Sequence, residues 1–376
     1  MRVLYLNHVS QVGGAETSLL SMVAGARGAG VDSRVVLPGP GPLADRLQAL
    51  GVPVDRAPLY RVHRTKNPLR LARLGLTLER VAHRLEGLSR RNEVDVVHSN
   101  STTAHLFAAY ARPRLGAPLV WHVRDLVSLG RWAPWLSTQA RAILAISQAA
   151  ADKLVEEGTE SEKIAVIHPG VAAPETHNRR AEIRAEWGCT DEQVVFGMAG
   201  QIVPWKGHRD FLNAATIVAN KFDEARFALV GDDLFGDHPD LCTEVRARAA
   251  APPLAGRAIV TGHREDIGDV LDAVDCLVLP SHGEPFGRVL VEAMLLGKPV
   301  VATGAGGPRE IVEQGATGLL VPQQDPAALA AAMLEVARNR ADAARMGAGG
   351  RRRARLLFSV ERNVEKTVEV YRDLLG

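Results

Sequence analysis

Residues 276–303, CLVLPSHGEPFGRVLVEAMLLGKPVVAT, decide the fold of this chain. An apolar run, Cys276–Leu279, ends at Pro280 and Ser281, and a polar loop, HGEPFG, follows. A helix is expected from Phe286 or Gly287 to Leu296. Gly297, Lys298 and Pro299 stop it: a C-terminal glycine, a cation at the last turn and a proline beyond. A second apolar run, Pro299–Ala302, completes a strand–helix–strand unit. Runs that are apolar throughout, rather than alternating, are buried on both faces, as parallel strands covered by helices are.

The same unit recurs outward from this stretch. Apolar runs at Val3–Asn7, Ser33–Leu37, Val94–His98, Pro118–His122 and Ile143–Ile146 are each followed by a longer helix-like segment. A second series comprises Ile164–Ile167, Val194–Met198, Arg226–Val230, Ala258–Thr261, Cys276–Leu279 and Pro299–Ala302. Strand and helix alternating throughout predict an α/β chain of doubly wound sheets. Between Ile167 and a helix starting near Asn178, the segment HPGVAAPETHNRR concentrates proline, glycine and alanine and marks a boundary. The expected domains are 1–172 and 173–358, with a last helix in 359–376. Two sheets would face each other across a cleft. Ligands of open α/β sheets bind beyond the carboxyl ends of the strands, so the chemistry is sought just after each strand.

Composition narrows the function. The chain has 376 residues, 46% hydrophobic and 23% charged, as in soluble globular proteins. A net charge of +2 supplies no field to recruit nucleic acid. The three cysteines, Cys189, Cys242 and Cys276, form no CxxC pair and read as small buried hydrophobes in a reducing cytosol. The opening MRVLYLNHV reads as a first strand rather than a signal peptide.

Several loops carry candidate chemistry. After the first strand, Gly13 and Gly14 open a helix, where amides and the helix dipole favour an anion; an ordinary strand–helix turn with Glu16 in its first turn fits equally. No GxGxxG follows a predicted strand, so a dinucleotide fingerprint is missing. His122 ends a strand, able to reach a substrate hydroxyl or to be satisfied within its own loop. After Val194–Met198 a glycine loop leads to Lys206-Gly207, a cation beside backbone donors that suits a diphosphate. Glu284 lies in the loop before the 286–296 helix and Glu292 inside that helix. Eight helical residues span about 12 Å, too far for a glycosidase couple at about 5–9.5 Å. The pair is better suited to gripping two parts of one elongated ligand. From Arg61 to Arg91 there are nine Lys or Arg and two acids, with Leu71, Leu74, Leu78, Val81, Leu85 and Leu88 at three- and four-residue steps. This is either a helix near residues 69–91 lying on an anionic membrane or a solvated cationic face over a core stripe. The stripe is narrow and lacks interfacial Trp or Phe.

Together these pieces resemble the retaining nucleotide-sugar glycosyltransferases of family 4 (group 1), with the GT-B fold. The matching segments are GGAE at 13–16, WHVRD at 121–125, AISQA at 145–149, VIHPGV at 166–171, GQIVPWKG at 200–207, LVGDD at 229–233, the 277–303 stretch with its E-x7-E, and GGPREIV at 306–312. The resemblance implies a C-terminal helix crossing back to the N-terminal, acceptor-binding domain. It implies that Glu292 accepts from ribose hydroxyls and Glu284 contacts the donor sugar. Lys206, with amides of Phe286, Gly287, Arg288 and Val289, would stabilise the leaving diphosphate, which Gly13 and Gly14 would approach. His122 would bind the transferred sugar, and His263 or Arg264 would lie near the base. Gln201 departs from the family pattern, which usually has arginine there; either Arg288, Arg124 or Arg309 compensates, or donor binding is weaker or altered. No Asp-x-Asp stands in the site loops, so neither a metal nor another cofactor is expected. The implied activity is cytoplasmic transfer of a sugar, with retained configuration, from a nucleotide-sugar donor to an acceptor such as a glycan, a lipid-linked sugar or a small molecule. A sugar-nucleotide epimerase on the same fold and a catalytically retired nucleotide-binding protein are the alternatives.

Overall fold

The computed structural model describes residues 1–62 and 67–376. Its chain divides into two compact units, Met1–Gly170 with Ser359–Gly376, and Val171–Phe358.

The first unit holds seven parallel strands: β1 (Arg2–Leu6), β2 (Asp32–Leu37), β3 (Val54–Arg56), β4 (Val96–Ser99), β5 (Leu119–Val123), β6 (Ala142–Ala145) and β7 (Ile164–Val166). Their order is β3-β2-β1-β4-β5-β6-β7. The second holds six parallel strands: β8 (Val194–Ala199), β9 (Ala225–Val230), β10 (Ala258–Gly262), β11 (Cys276–Leu279), β12 (Val300–Thr303) and β13 (Leu319–Val321). Their order is β10-β9-β8-β11-β12-β13. Each order reverses once, between β1 and β4 and between β8 and β11. At such a switch the two connections leave toward opposite faces and open a crevice beyond the strand ends.

The strands expected from apolar runs are present, and β4, β5, β8, β11 and β12 are buried at every position. The run at Ile164–Ile167, grouped with the second series, is β7 at the edge of the first sheet. β3 and β13 were not anticipated. Each is a three-residue edge strand, too short to show a period.

The last helix, Val360–Leu375, belongs to the first unit. It buries Val364, Val368 and Tyr371 in one cluster with Val3, Tyr5, Leu19 and Met22. Asn363 Nδ2 donates to His168 O at 2.7 Å, tying the helix to the chain just past β7.

Candidate active site

In the second unit the site grows from the loops after β8 and β11, the strands flanking the switch. The β8 loop turns at Pro204–Lys206, and Gly207 then caps the helix His208–Ala219 with φ +78°. A Cβ on Gly207 would lie 2.1 Å from Pro280 O, so only glycine lets the two loops touch. This contact brings Lys206 to the β11 loop, where its Nζ donates to Glu284 Oε2 at 2.7 Å. Ser281 Oγ donates to the same oxygen at 2.9 Å. The pair is largely withdrawn from water, with side-chain exposures of 15% for Lys206 and 7% for Glu284. The Lys206 ammonium also sits 4.4 Å from the Trp205 ring centroid, a cation–π contact.

The β12 loop locks Glu284 from the other side. Gly307 N donates to Glu284 O at 2.9 Å, and a Cβ on Gly307 would lie 2.3 Å from Phe286 Cα. The helix Arg288–Leu295 follows Gly287 (φ +102°), and no side chain caps it. The start of a helix favours an anion, and this one lies next to Glu284, whose Cγ would be 3.5 Å from a Cβ on Gly287. Phe286 is buried edge-on against Phe358, with centroids 5.6 Å apart, so its ring packs and its backbone faces the loop. One turn into the helix, Arg288 Nη2 lies 3.3 Å from Glu292 Oε1. Burial lowers the Arg288 pKa from its ordinary value, opposed by Glu292. Val289 is half-buried.

Among the described residues, three further expected residues form no hydrogen bond or ion pair with Lys206 or Glu284. Among the described residues the Gln201 side chain has no hydrogen-bonding partner. His263 is exposed beyond β10, the edge strand two places from the switch. The Arg264 guanidinium is occupied by carboxylates, Asp266 at 2.8 Å and Glu186 at 2.7 Å. Of the cations named as substitutes for the missing arginine, Arg288 is beside Glu292, Arg309 donates to Gly304 O, and Arg124 belongs to the first unit.

In the first unit the residues after β1, β4 and β5 form one continuous polar chain under the switch. Glu16, at the start of the helix Gly14–Ala26, accepts from Gly13 N at 3.1 Å and from Asn7 Nδ2 at 3.2 Å. Gly13 has φ −116°, so its glycine is not required by the backbone angle. Gly14 is exposed. Asn100 Nδ2 donates to Asn7 Oδ1 at 3.0 Å, and Arg124 Nε donates to Asn100 Oδ1 at 2.9 Å. Arg124 Nη2 lies 3.3 Å from His122 Nδ1, which also faces His98 Nε2 at 3.1 Å. His98 Nδ1 meets Tyr371 Oη at 2.5 Å. Both rings are fully buried. Burial first, then the Arg124 charge, lowers His98 to about 3. The same causes, with His98 added, hold His122 well below the usual histidine value. His122 Nε2 is buried without a protein partner. Asn7, His98, Asn100 and Tyr371 were not among the expected site residues. The available signal was position: Asn7 and Asn100 stand just past strand ends and His98 inside one.

The basic helix spans Pro68–Arg91. Arg64 and Lys66 of that charge run lie outside the described residues. Val81, Leu85 and Leu88 are buried, and Leu74 and Leu78 pack against the same cluster. Leu71, expected in the core stripe, is instead exposed, as are Leu69 and Leu76. No helix among the described residues is long and apolar enough to cross a membrane.

Residues 12–173 match a family model described as Glycosyltransferase Family 4, and residues 193–339 match one described as Glycosyl transferases group 1. The D-inositol 3-phosphate glycosyltransferase of a Nocardioides species is 29% identical over 77% of this chain and 69% of its own length. Its Streptomyces avermitilis counterpart is 29% identical, over 74% of this chain and 65% of its own length. Among solved structures, Anabaena HepE in complex with UDP-glucose is 27% identical, with a TM-score of 0.85, and covers 99% of this chain and 100% of its own. A glycosyltransferase from Rickettsia africae superposes with a TM-score of 0.86 at 20% identity, over 100% of this chain and 98% of its own, a likeness of fold.

Proposed function

The chain belongs to the family 4, group 1 glycosyltransferases of GT-B fold, and from that membership we propose that it moves a sugar from a nucleoside diphosphate to an acceptor hydroxyl, with retained configuration and without a metal ion. The observation that carries this reading is the 2.7 Å contact between Lys206 and Glu284. The bond that breaks in such a transfer joins the sugar carbon to a phosphate oxygen. A cation for the phosphate and a carboxylate for the sugar hydroxyls must therefore stand side by side.

In this reading Lys206 and the first amides of the helix Arg288–Leu295 take up the charge that grows on the departing diphosphate. Lysine and helix-end amides thus supply the positive field that a metal would otherwise provide. Glu284 accepts hydrogen bonds from the sugar, and Glu292, further along the helix, accepts from the ribose. Glu284 is already engaged by Lys206 and Ser281, which suits a hydrogen-bonding role better than a covalent one. The acceptor oxygen adds to the sugar carbon on the face the diphosphate leaves. The electron pair of the broken bond stays on the diphosphate oxygen, which takes the acceptor's proton. His122 Nε2 donates to an oxygen of the transferred sugar. A uridine diphosphate sugar is the first donor to test, because HepE is described with UDP-glucose. A cytoplasmic location, and contact of the basic helix Pro68–Arg91, which leaves Leu69, Leu71 and Leu76 exposed, with an anionic membrane, belong to the same proposal.

Incubation with UDP-glucose, followed by NMR with and without added sugar or inositol acceptors, tests it. Release of UDP with an α-linked product supports the reading. A β-linked product, or conversion of the donor to an epimer without acceptor, refutes it.

A further inference from the structure

The buried chain that ends on His122 determines where its protons sit. A guanidinium carries donors only. Arg124 Nη2, 3.3 Å from His122 Nδ1, therefore makes Nδ1 the accepting, unprotonated nitrogen. His98 Nε2 approaches the same Nδ1 at 3.1 Å and must donate to it. A neutral imidazole that donates from Nε2 accepts at Nδ1. At that position His98 meets Tyr371 Oη at 2.5 Å, so the tyrosine is the donor. Tyr5 Oη lies 3.4 Å from Tyr371 Oη, too far to compete with the 2.5 Å contact for the single phenol proton. The chain runs one way: Tyr371 donates to His98, and His98 donates to His122. The remaining proton of His122 is then on Nε2, the atom buried without a protein partner. Leaving such a donor unpaired costs about 1–3 kcal/mol, a cost that a ligand oxygen would remove.

We propose that Tyr371, supplied by the C-terminal helix, is a positioning residue for sugar transfer: its hydroxyl at His98 Nδ1 and the Arg124 guanidinium at His122 Nδ1 together hold both histidines as Nε2–H tautomers, so that His122 donates to a sugar oxygen and takes no proton from the acceptor. This rests on the role given to His122 under the proposed function. It also gives the return of the last helix to the first unit a chemical purpose beyond packing. The helix contributes Val364 and Val368 to the apolar cluster, but Tyr371 is its side chain in the histidine chain.

The test uses the full chain labelled with 15N-histidine at neutral pH, without substrate, with rings assigned through single histidine variants. Both His98 and His122 are expected as Nε2–H tautomers; a His122 proton on Nδ1 overturns the inference. Tyr371→Phe keeps the ring and removes only the hydroxyl. It should leave His98 as a mixture of tautomers and lower kcat about three- to tenfold, the worth of one hydrogen bond, with donor KM and Tm nearly unchanged. An unchanged His98 spectrum together with an unchanged kcat overturns the inference. His98→Gln, whose amide can still donate to His122, should retain more activity than His98→Leu; equal activities overturn the inference. Absence of transfer from every donor tried refutes the proposed function instead, while the ring spectra still decide the tautomer.

Discussion

Replacing Lys206 with methionine should damage folding and chemistry together, and a second substitution should separate the two. At 2.7 Å, the attraction between Lys206 and Glu284 is about 6 kcal/mol gross at an effective dielectric of about 20. Desolvation of both groups removes most of that. What decides the outcome is the group left behind. Lys206→Met strands the Glu284 carboxylate with Ser281 as its remaining side-chain donor, at a cost of about 3 kcal/mol. For a unit the size of Val171–Phe358 this lowers Tm by about 6–12 °C. Glu284→Leu costs less, about 1–2 kcal/mol, because a lysine stem lets its ammonium swing toward water. Lys206→Met with Glu284→Leu removes both charges and should return to within about 1 kcal/mol of the parent. Turnover should follow a different pattern. Both single variants and the double should lose about 100-fold or more in kcat, since under the proposed function no member retains both the cation for the phosphate and the carboxylate for the sugar. Scanning calorimetry and UDP release measure the two quantities on the same samples. The reasoning is refuted if the double variant is destabilised by the sum of the singles, or if Lys206→Met turns over within twofold of the parent.

Acid should weaken the first unit more than the second. Burial lowers His98 to about 3 and His105 to about 4, so the unfolded chain binds more protons than the folded one below about pH 6.5. Stability is then complete above pH 6.5 and falls as pH drops, by about 2 kcal/mol per histidine between pH 6.5 and 5. Hydrogen exchange, corrected for its intrinsic pH dependence, should show β4 and β5 losing protection before β8 and β9; equal loss in both sheets would count against it. Arg184 is almost fully buried, with Asp275 at 3.0 Å and the Gln193 carbonyl at 2.7 Å among its acceptors. Arg184→Met should cost about 3 kcal/mol in thermal unfolding while leaving Arg180 on Asp275; a loss under about 1 kcal/mol would show the node to be dispensable. Glu292→Ala should weaken UDP binding about tenfold or more by calorimetry, the worth of a charged hydrogen-bond acceptor, and unchanged affinity would remove Glu292 from the ribose.

Much of the second unit's site was legible in the chain. Lys206-Gly207 and the E-x7-E helix announce themselves because strand runs, glycine turns and helix stops are local signals within about a dozen residues. The helix itself runs Arg288–Leu295, close to the expected bounds, with Glu284 outside it and Glu292 within. The first unit was far less legible. Its polar chain joins residues whose neighbours look like ordinary strand and helix sequence, and Tyr371 reads as a core tyrosine of an amphipathic helix.

By itself the sequence determined the α/β class, most of the strands and where the candidate loops lie, since continuous apolar runs and helix punctuation act over one element at a time. Only the tertiary structure decided which loops meet. It set the strand order that places the β8 and β11 loops at one switch, paired Lys206 with Glu284 across 78 residues, and joined His98 to Tyr371 across 273. It also moved Ile164–Val166 to the first sheet and left Leu71 in solvent. The physical reason is the same in each case. A residue type shows that a buried polar group needs a partner, whereas the partner's identity depends on strand order, which local periodicity does not encode.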